Sequence, residues 1–148
     1  MSNINKGLLF GLIAAVIPVQ IHLTGGPIQT DNPEVIVLEK SGKKYSIGSG
    51  YSLIYEYSKK PAIGLLVLKL RIFEERSGKQ VHSLNVSGES GMPSMRGAHD
   101  SGEKTFQLNK KGDYLLPIDV VMAGKWEVVL RVKDKGTTLF TGTIAFRV

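Results

Sequence analysis

Two methionines and a histidine stand close together in segment 91–99, which reads Gly-Met-Pro-Ser-Met-Arg-Gly-Ala-His. Met92 and Met95 are three residues apart, and His99 follows four residues later. Thioether sulfur is a soft ligand that selects Cu(I), and imidazole suits Cu(I) and Cu(II) alike. These residue types at this spacing therefore predict a copper site built from Met92, Met95 and His99.

The same three residues also suit a structural role that needs no metal. Methionine is a flexible side chain that fills irregular gaps, so the two thioethers can close an open end of a core by apolar contact alone. In that interpretation His99 is a surface residue hydrogen-bonded to its neighbour Asp100. The spacing by itself leaves both interpretations open.

A further methionine, Met122, lies in a short turn between two apolar runs. When successive strands run alternately up and down, every second connection lies at the same end of a sandwich. Counting connections places segment 87–102, hairpin 121–124 and the start of the first strand, at 34–38, at one end. The count predicts that all the metal ligands converge at an end facing the membrane, and the predicted ligand set is Met92, Met95, His99 and Met122.

These residues must be positioned by β-strands, because the chain beyond residue 33 consists of short β-rich runs separated by turn residues. Large apolar residues recur with period 2 in several runs, as in Trp126, Val128, Leu130 and Val132. The predicted strands are Glu34–Leu38, Tyr51–Tyr57, Leu65–Phe73, Gln80–Val86, Lys104–Leu108, Tyr114–Val121, Lys125–Val132 and Thr138–Arg147. With no amphipathic helix among them, they predict an all-β domain, an immunoglobulin-like antiparallel β-sandwich of about 7–8 strands.

The N-terminal residues predict a transmembrane helix ahead of this domain. Gly7 to Leu23 form an uncharged apolar run of 17 residues, which is at the short end of what crosses a bilayer. A cleaved signal peptide is the other interpretation, but no A-x-A-like site follows the run. Lys6 ahead of the run places the amino end in the cytoplasm. We expect an anchor (or signal peptide) at 1–25, a linker at 26–33 and the β-sandwich at 34–148. The protein would cross the inner (cytoplasmic) membrane once, with its C-terminal domain on the periplasmic side.

Composition narrows the classes of function. No cysteine is present, which excludes disulfides, thiolate metal sites and thiol catalysis. The net charge of +6 comes from lysines and arginines scattered among acids, a pattern typical of a solvated surface rather than of a nucleic-acid interface. No motif such as G-x-S-x-G or H-E-x-x-H occurs. We therefore expect a protein that is not an enzyme and that binds neither nucleic acid nor a small-molecule substrate.

Two blocks of the sequence resemble the YtkA-like and FixH-like families of bacterial membrane-anchored or secreted β-sandwich domains. The shared pattern is M-P-x-M, a nearby histidine, G-x-Y, a hydrophobic strand and M-x-G-x-W. It is matched here by Met92, Pro93, Met95, His99, Gly112, Tyr114, Met122, Gly124 and Trp126. The resemblance implies an immunoglobulin-like fold outside the cytoplasmic membrane and a link to copper handling or to assembly of a respiratory membrane complex. Related copper carriers often have several histidines near the site. The single histidine here therefore favours Cu(I) over Cu(II).

Two hypotheses follow. In the first, the protein binds Cu(I) and exchanges the ion with a membrane protein partner. In the second, it is a metal-free structural or interaction module, an accessory subunit of a membrane protein complex whose glycine-rich loop docks on its partner.

Overall fold

The computed structural model describes residues 35–148, which form two five-stranded β-sheets. The strands are β1 (Ile36–Leu38), β2 (Lys44–Gly48), β3 (Tyr51–Tyr57), β4 (Gly64–Glu74), β5 (Asn85–Gly91), β6 (Glu103–Thr105), β7 (Gln107–Leu108), β8 (Tyr114–Val120), β9 (Lys125–Asp134) and β10 (Thr137–Arg147). One sheet has the order β1-β10-β9-β5-β6, and the other has the order β2-β3-β4-β8-β7. β1 runs parallel to β10, and the other neighbouring strands run antiparallel.

The core lies between the two sheets, because alternate residues of the long strands point inward. The inward residues of two long strands are fully or almost fully buried: Leu66, Leu68, Leu70 and Ile72 of β4, and Trp126, Val128, Leu130 and Val132 of β9. Removing such apolar surface from water stabilises a fold by about 25 cal/mol per Å². The period-2 pattern that predicts these strands is therefore also the pattern that builds the core.

The prediction of an all-β domain is confirmed, with ten short strands in place of the expected 7–8. The predicted anchor (1–25) and linker (26–33) lie outside the described residues, and the immunoglobulin-like assignment stays a prediction. Within residues 35–148, the structure contains no helix with the length and apolar character needed to cross a membrane.

One strand forms further along the chain than predicted. The expected strand Gln80–Val86 is replaced by β5, Asn85–Gly91. The pattern misplaces it because, after Val86, its core-facing positions hold the small residues Gly88 and Ser90 instead of large apolar ones. An added Cβ on Gly88 would lie 2.9 Å from side-chain atoms of both Leu116 and Phe106. Side chains from other parts of the chain therefore fill the space that β5 leaves, and this does not show in the sequence of β5 itself.

Two neighbouring segments change as a consequence. The loop expected at 87–102 shortens to 92–102, since its first residues belong to β5. The single strand expected at Lys104–Leu108 is two short strands in different sheets, β6 and β7. Phe106 between them is buried, so the chain crosses from one sheet to the other by inserting this ring into the core.

The strand β2 is absent from the predicted set, because its sequence Lys-Tyr-Ser-Ile-Gly buries a single side chain, Ile47. This extra strand reverses the predicted direction of β1. β1 runs parallel to β10, and β10 ends beside hairpin 121–124, where Arg147 pairs with Lys125. β1 therefore runs toward the hairpin, and the prediction that its start lies at the hairpin end is wrong.

Candidate functional site

A one-turn 3-10 helix carries the clustered methionines. Met92 directly follows β5 and precedes the helix, Pro93–Met95. The Met95 amide donates to the Met92 carbonyl at 2.9 Å, and the Ala98 amide donates to the Met95 carbonyl at 3.1 Å. Proline favours this turn, because its ring fixes φ near the value of a first helical position. The motif M-P-x-M thus folds as a compact turn rather than as an extended loop.

Polar contacts hold the loop 92–102 against the neighbouring strands. The Ser101 amide donates to the Ser90 carbonyl at 2.8 Å, and the Ser90 amide donates to the Ser101 hydroxyl at 3.0 Å. Arg96 forms an ion pair with Glu127 of β9. Because these contacts tie the loop to β5 and β9, it has a defined path despite its glycines.

Asp100 organises the part of the loop next to His99. Its carboxylate accepts a hydrogen bond from the Gly97 amide at 2.7 Å. An added Cβ on Gly91 would lie 2.2 Å from the other carboxylate oxygen, so the carboxylate fits only because that position is glycine. Asp100 therefore binds the backbone of its own loop. The metal-free interpretation of the sequence expected the His99 imidazole as its partner instead.

Met92 brings this loop against the hairpin 121–124 that holds Met122. Its side chain is only 5% exposed, and an added Cβ on Gly124 would lie 2.6 Å from its terminal methyl carbon. The loop and the hairpin therefore meet, as the strand count predicts. We call this part of the sandwich, formed by loop 92–102 and hairpin 121–124, the methionine end.

The four predicted ligands all lie at the methionine end but differ in accessibility. Met92 belongs to the buried core, and Met122 is partly buried and packs against that core. Met95 is 39% exposed, and His99 is half-buried. The structure thus supplies two inward thioethers, one outward thioether and an accessible imidazole, and their role as metal ligands stays a prediction.

A pocket of about 240 Å³ opens beside His99. It is lined by residues of both sheets and of the loop, namely Ser90, His99, Asp100, Ser101, Lys104, Asp119, Val121 and Trp126. Sequence reasoning did not connect Lys104 and Asp119 with His99. Lys104 is in β6 and Asp119 is in β8, strands of different sheets, so only the packing of the two sheets brings them to one pocket.

Trp126 is both a core residue and part of the pocket wall. The sequence predicts a core position, and the side chain is 1% exposed. Its indole N–H donates to the Met122 carbonyl at 3.1 Å. The ring of Phe146 stacks on it with a centroid distance of 6.5 Å and an interplanar angle of 18°. These two contacts fix the indole beside the methionine hairpin.

Two tyrosines extend the aromatic packing from Phe146 into the core. The ring of Tyr57 lies 5.5 Å from that of Phe146 and 5.8 Å from that of Tyr55. Burial raises the pKa of Tyr57, and burial together with the neighbouring Tyr45 raises the pKa of Tyr55 to about 12. Both phenols are therefore protonated at neutral pH, and this aromatic cluster carries no charge.

A metal site made only of imidazoles and carboxylates is not present in the described part of the chain. Among residues 35–148, no three His, Asp or Glu side chains come together as a metal-binding group. The sequence also has no cysteine.

Comparison with known proteins gives distant structural likeness alone. No protein-family model and no curated protein matches the sequence significantly. FetP of uropathogenic E. coli strain F11, in its as-isolated form, has 14% sequence identity and a TM-score of 0.49, with 73% of this chain and 93% of that chain covered. A copper-bound variant of the same FetP has 12% identity and a TM-score of 0.47, with 72% and 94% covered. Likenesses of this size do not establish a shared site or a shared function.

Proposed function

We propose that this protein binds Cu(I) at the methionine end, through Met92, Met95 and His99 with Met122 as a further ligand. One observation carries the proposal. Met92 packs its methyl group against Gly124, two residues from Met122. Two segments that are distant in the sequence therefore present thioethers at the same end of the sandwich, beside the half-buried His99.

The donor set suits a soft monovalent ion. Thioethers are neutral and polarizable, so they can lie in an apolar core and still bind Cu(I), and a neutral imidazole adds a stronger donor. Met95 and His99 are the accessible members of the set. In the proposed site they would meet the incoming ion first, and the buried Met92 would complete its coordination.

The proposed role is to take up Cu(I) and exchange it with a membrane protein partner. The apolar run in residues 7–23 supports a membrane-anchored protein whose β-sandwich lies outside the cytoplasm. The resemblance to YtkA-like and FixH-like domains supports copper handling or maturation of a respiratory membrane complex. Nothing in the site calls for a chemical reaction, so the proposed function is binding and not catalysis.

The test is a competition assay for Cu(I) between the purified full chain and a chromophoric Cu(I) chelator, under anaerobic and reducing conditions. We expect uptake of one equivalent of Cu(I) by the wild-type protein and its loss in the double variant Met92→Leu/Met95→Leu. Leucine nearly conserves volume and so keeps most of the packing. Equal uptake by the double variant would contradict the proposal.

A matched pair of histidine variants controls for general damage. His99→Gln should weaken Cu(I) uptake, because among residues 35–148 it removes the one imidazole at the methionine end. His82→Gln should not, because His82 is exposed and lies against Gly112, away from the loop 92–102. If both variants weaken uptake equally, the ion is not held by His99.

A second candidate function is a metal-free interaction module of a membrane protein complex. The observation that favours it is an apolar patch on the outer face of the sheet that contains β4 and β8. Ile63, Leu65 and Val121 are each more than half exposed. They are close together, because Gly64 pairs with Val120 across these two strands. Exposed apolar residues that cluster in this way are typical of protein contact surfaces.

This candidate predicts that the full chain purifies from its native membrane as a stoichiometric subunit of a complex. Leu65→Lys should release it from that complex, whereas Leu108→Lys should not, because the equally apolar Leu108 is exposed on β7, outside the patch. Purification of the wild-type chain free of any stoichiometric partner would contradict this candidate and leave the Cu(I) proposal unaffected.

A further inference from the structure

We propose that the methionine end contacts the surface of an anionic lipid bilayer, through the apolar patch of Ile63, Leu65 and Val121 and the cations beside it. This inference rests on the proposed membrane anchoring of the chain and is independent of the Cu(I) ligands.

The position of the apolar patch is the first observation. Ile63 is 60% exposed, Leu65 is 59% exposed and Val121 is 51% exposed. Val121 is part of the hairpin at the methionine end, and Gly64 pairs with Val120 directly before that hairpin. The patch therefore lies at the methionine end and not midway along the sheet. Exposed apolar patches mark contacts with membranes or with proteins, so the charges around the patch decide between the two.

Two lysines lie directly beside the patch. Lys59 and Lys60 are exposed in the loop that joins β3 to β4, the same loop that holds Ile63. Neither lysine forms an ion pair within the described part of the chain. Asp119 is exposed, pairs with Leu65 across the sheet and opposes them with one negative charge. Exposed apolar side chains next to lysines suit anionic lipid, because apolar burial and electrostatic attraction then act together.

A second pair of cations lies at the same end, on the other sheet. Lys125 pairs directly with Arg147 across β9 and β10, and both side chains are exposed. Like charges directly opposite each other destabilise a sheet, and neither cation forms an ion pair within the residues that the structure describes. A pocket of about 320 Å³ opens here, lined by these two residues with Ala145 and Phe146. A lipid phosphate beside the pair would relieve the repulsion, whereas an apolar protein surface would not.

The loop that carries the two lysines is fixed at its base. The Ser58 amide donates to the Val67 carbonyl at 2.9 Å, and the Val67 amide donates to the Ser58 hydroxyl at 3.2 Å. These bonds fix where the loop leaves the sheet. Lys59, Lys60 and Ile63 are therefore presented from an ordered base, which lowers the entropy that binding must cost.

The chain ahead of β1 is long enough to let this end reach the bilayer. Ile36 at the start of β1 pairs with Gly142, and Arg147 lies five residues further along β10, roughly 17 Å away. The 12 residues 24–35, between the apolar run and β1, can span at most about 40 Å. A chain anchored through residues 7–23 can therefore place the methionine end on the same bilayer.

The test uses a single fluorescent label. The chain has no cysteine, so Ile63→Cys gives one site for an environment-sensitive fluorophore. The full chain is reconstituted into vesicles of phosphatidylcholine, alone or mixed equally with phosphatidylglycerol, and both contain a nitroxide lipid that quenches the label on contact. We expect strong quenching at position 63 in the phosphatidylglycerol vesicles and weak quenching in phosphatidylcholine. The same label at Leu108→Cys, exposed at the opposite end of β8, should be quenched in neither.

A matched pair of charge variants tests the lysines. Lys59→Glu/Lys60→Glu should lower the equilibrium constant for contact at least about 25-fold, since each lysine near an anionic surface contributes about fivefold. Lys110→Glu/Lys111→Glu makes the same change of charge in the turn before β8, at the opposite end of the sandwich. This control should leave the quenching at position 63 unchanged.

Several outcomes would overturn the inference. Equal quenching at position 63 in both lipids, or an equal loss in both lysine variants, would show that the charges of this end do not direct the contact. A label that stays in water in protein-free vesicles but is shielded in native membranes would assign the patch to a protein partner, as in the second candidate function. A chain that enters the vesicles and leaves position 63 in water contradicts the inference alone. A chain that stays in solution with both kinds of vesicle contradicts the proposed anchoring as well.

Discussion

The centre of the sandwich and the methionine end both bury apolar side chains, but they do so with different residues. In the centre, branched aliphatic side chains of both sheets, such as Leu70 and Leu130, are fully buried. At the methionine end the two sheets are closed by a thioether, an indole and a glycine, namely Met92, Trp126 and Gly124. The centre is built from shape-defined residues, and the end is built from adaptable or polarizable ones.

The residues that stabilise the fold therefore differ in type from the residues that are available for binding. Leucine and valine have few rotamers and no donor atoms, so they specify one packing and nothing else. Methionine adapts to irregular space and carries a soft sulfur. Stability should therefore respond more strongly to changes in the centre than to volume-conserving changes at the methionine end. Three predictions test this contrast, and the largest expected effect comes first.

Leu130→Ala should lower the free energy of unfolding by about 2–5 kcal/mol, because it leaves a cavity in the fully buried centre. Leu130 pairs with Gly88 and Gly142 on the two adjacent strands, so the residues paired directly with it have no side chain to fill the space. Met92→Leu should cost less than about 1.5 kcal/mol, since its volume is nearly conserved. Urea unfolding of both variants measures this difference. An equal loss of unfolding free energy in Met92→Leu would show that the centre and the methionine end do not differ in this respect.

Gly124→Ala should lower the free energy of unfolding by about 1–3 kcal/mol. The new Cβ would lie 2.6 Å from the Met92 methyl, and φ at this position is +146°. A double-mutant cycle with Met92→Ala separates the two causes, because it removes the clash and leaves the backbone strain. We expect Gly124→Ala to cost less in the Met92→Ala background. Strict additivity would show that the close contact between the loop and the hairpin does not matter.

Two tyrosines give a matched pair with the smallest expected effect. The Tyr55 hydroxyl, in the centre, donates to the Leu38 carbonyl at 3.1 Å. The Tyr57 hydroxyl, nearer the methionine end, is buried without a hydrogen-bond partner among the described residues. Tyr55→Phe should cost about 0.5–1.5 kcal/mol, whereas Tyr57→Phe should be neutral or stabilising. Thermal unfolding at neutral pH compares them. A larger loss for Tyr57→Phe would mean that its hydroxyl has a partner in solution.

The elements with strict alternation could be predicted from the sequence. β3 is predicted with its observed bounds, and β4, β8, β9 and β10 are predicted to within one or two residues at each end. Their large apolar residues recur at every second position, and burial against the opposite sheet requires that period. Local pattern and tertiary packing agree in these strands.

The elements with only one large inward side chain could not be predicted. β5 faces the core with Val86, Gly88 and Ser90, and β2 buries only Ile47. Glycine is favoured at position 88 because an added Cβ would lie only 2.9 Å from side-chain atoms of Leu116 and Phe106. These two side chains come from other parts of the chain. When one strand is missed, the strands on its two sides are assigned directions that are wrong relative to each other. Because β2 is absent from the predicted set, the direction of β1 is predicted wrongly.

For the candidate site, the sequence by itself determined which soft donors exist, that Met92 and Met95 lie within one turn, and that no thiolate competes with them. Those properties depend only on residue type and local spacing. The tertiary structure decided that Met92 is buried against the Met122 hairpin, that Met95 and His99 are accessible, and that Trp126 shares a pocket with His99. These facts depend on how the two sheets close over each other, and contacts between distant segments are not encoded in the spacing of any one of them.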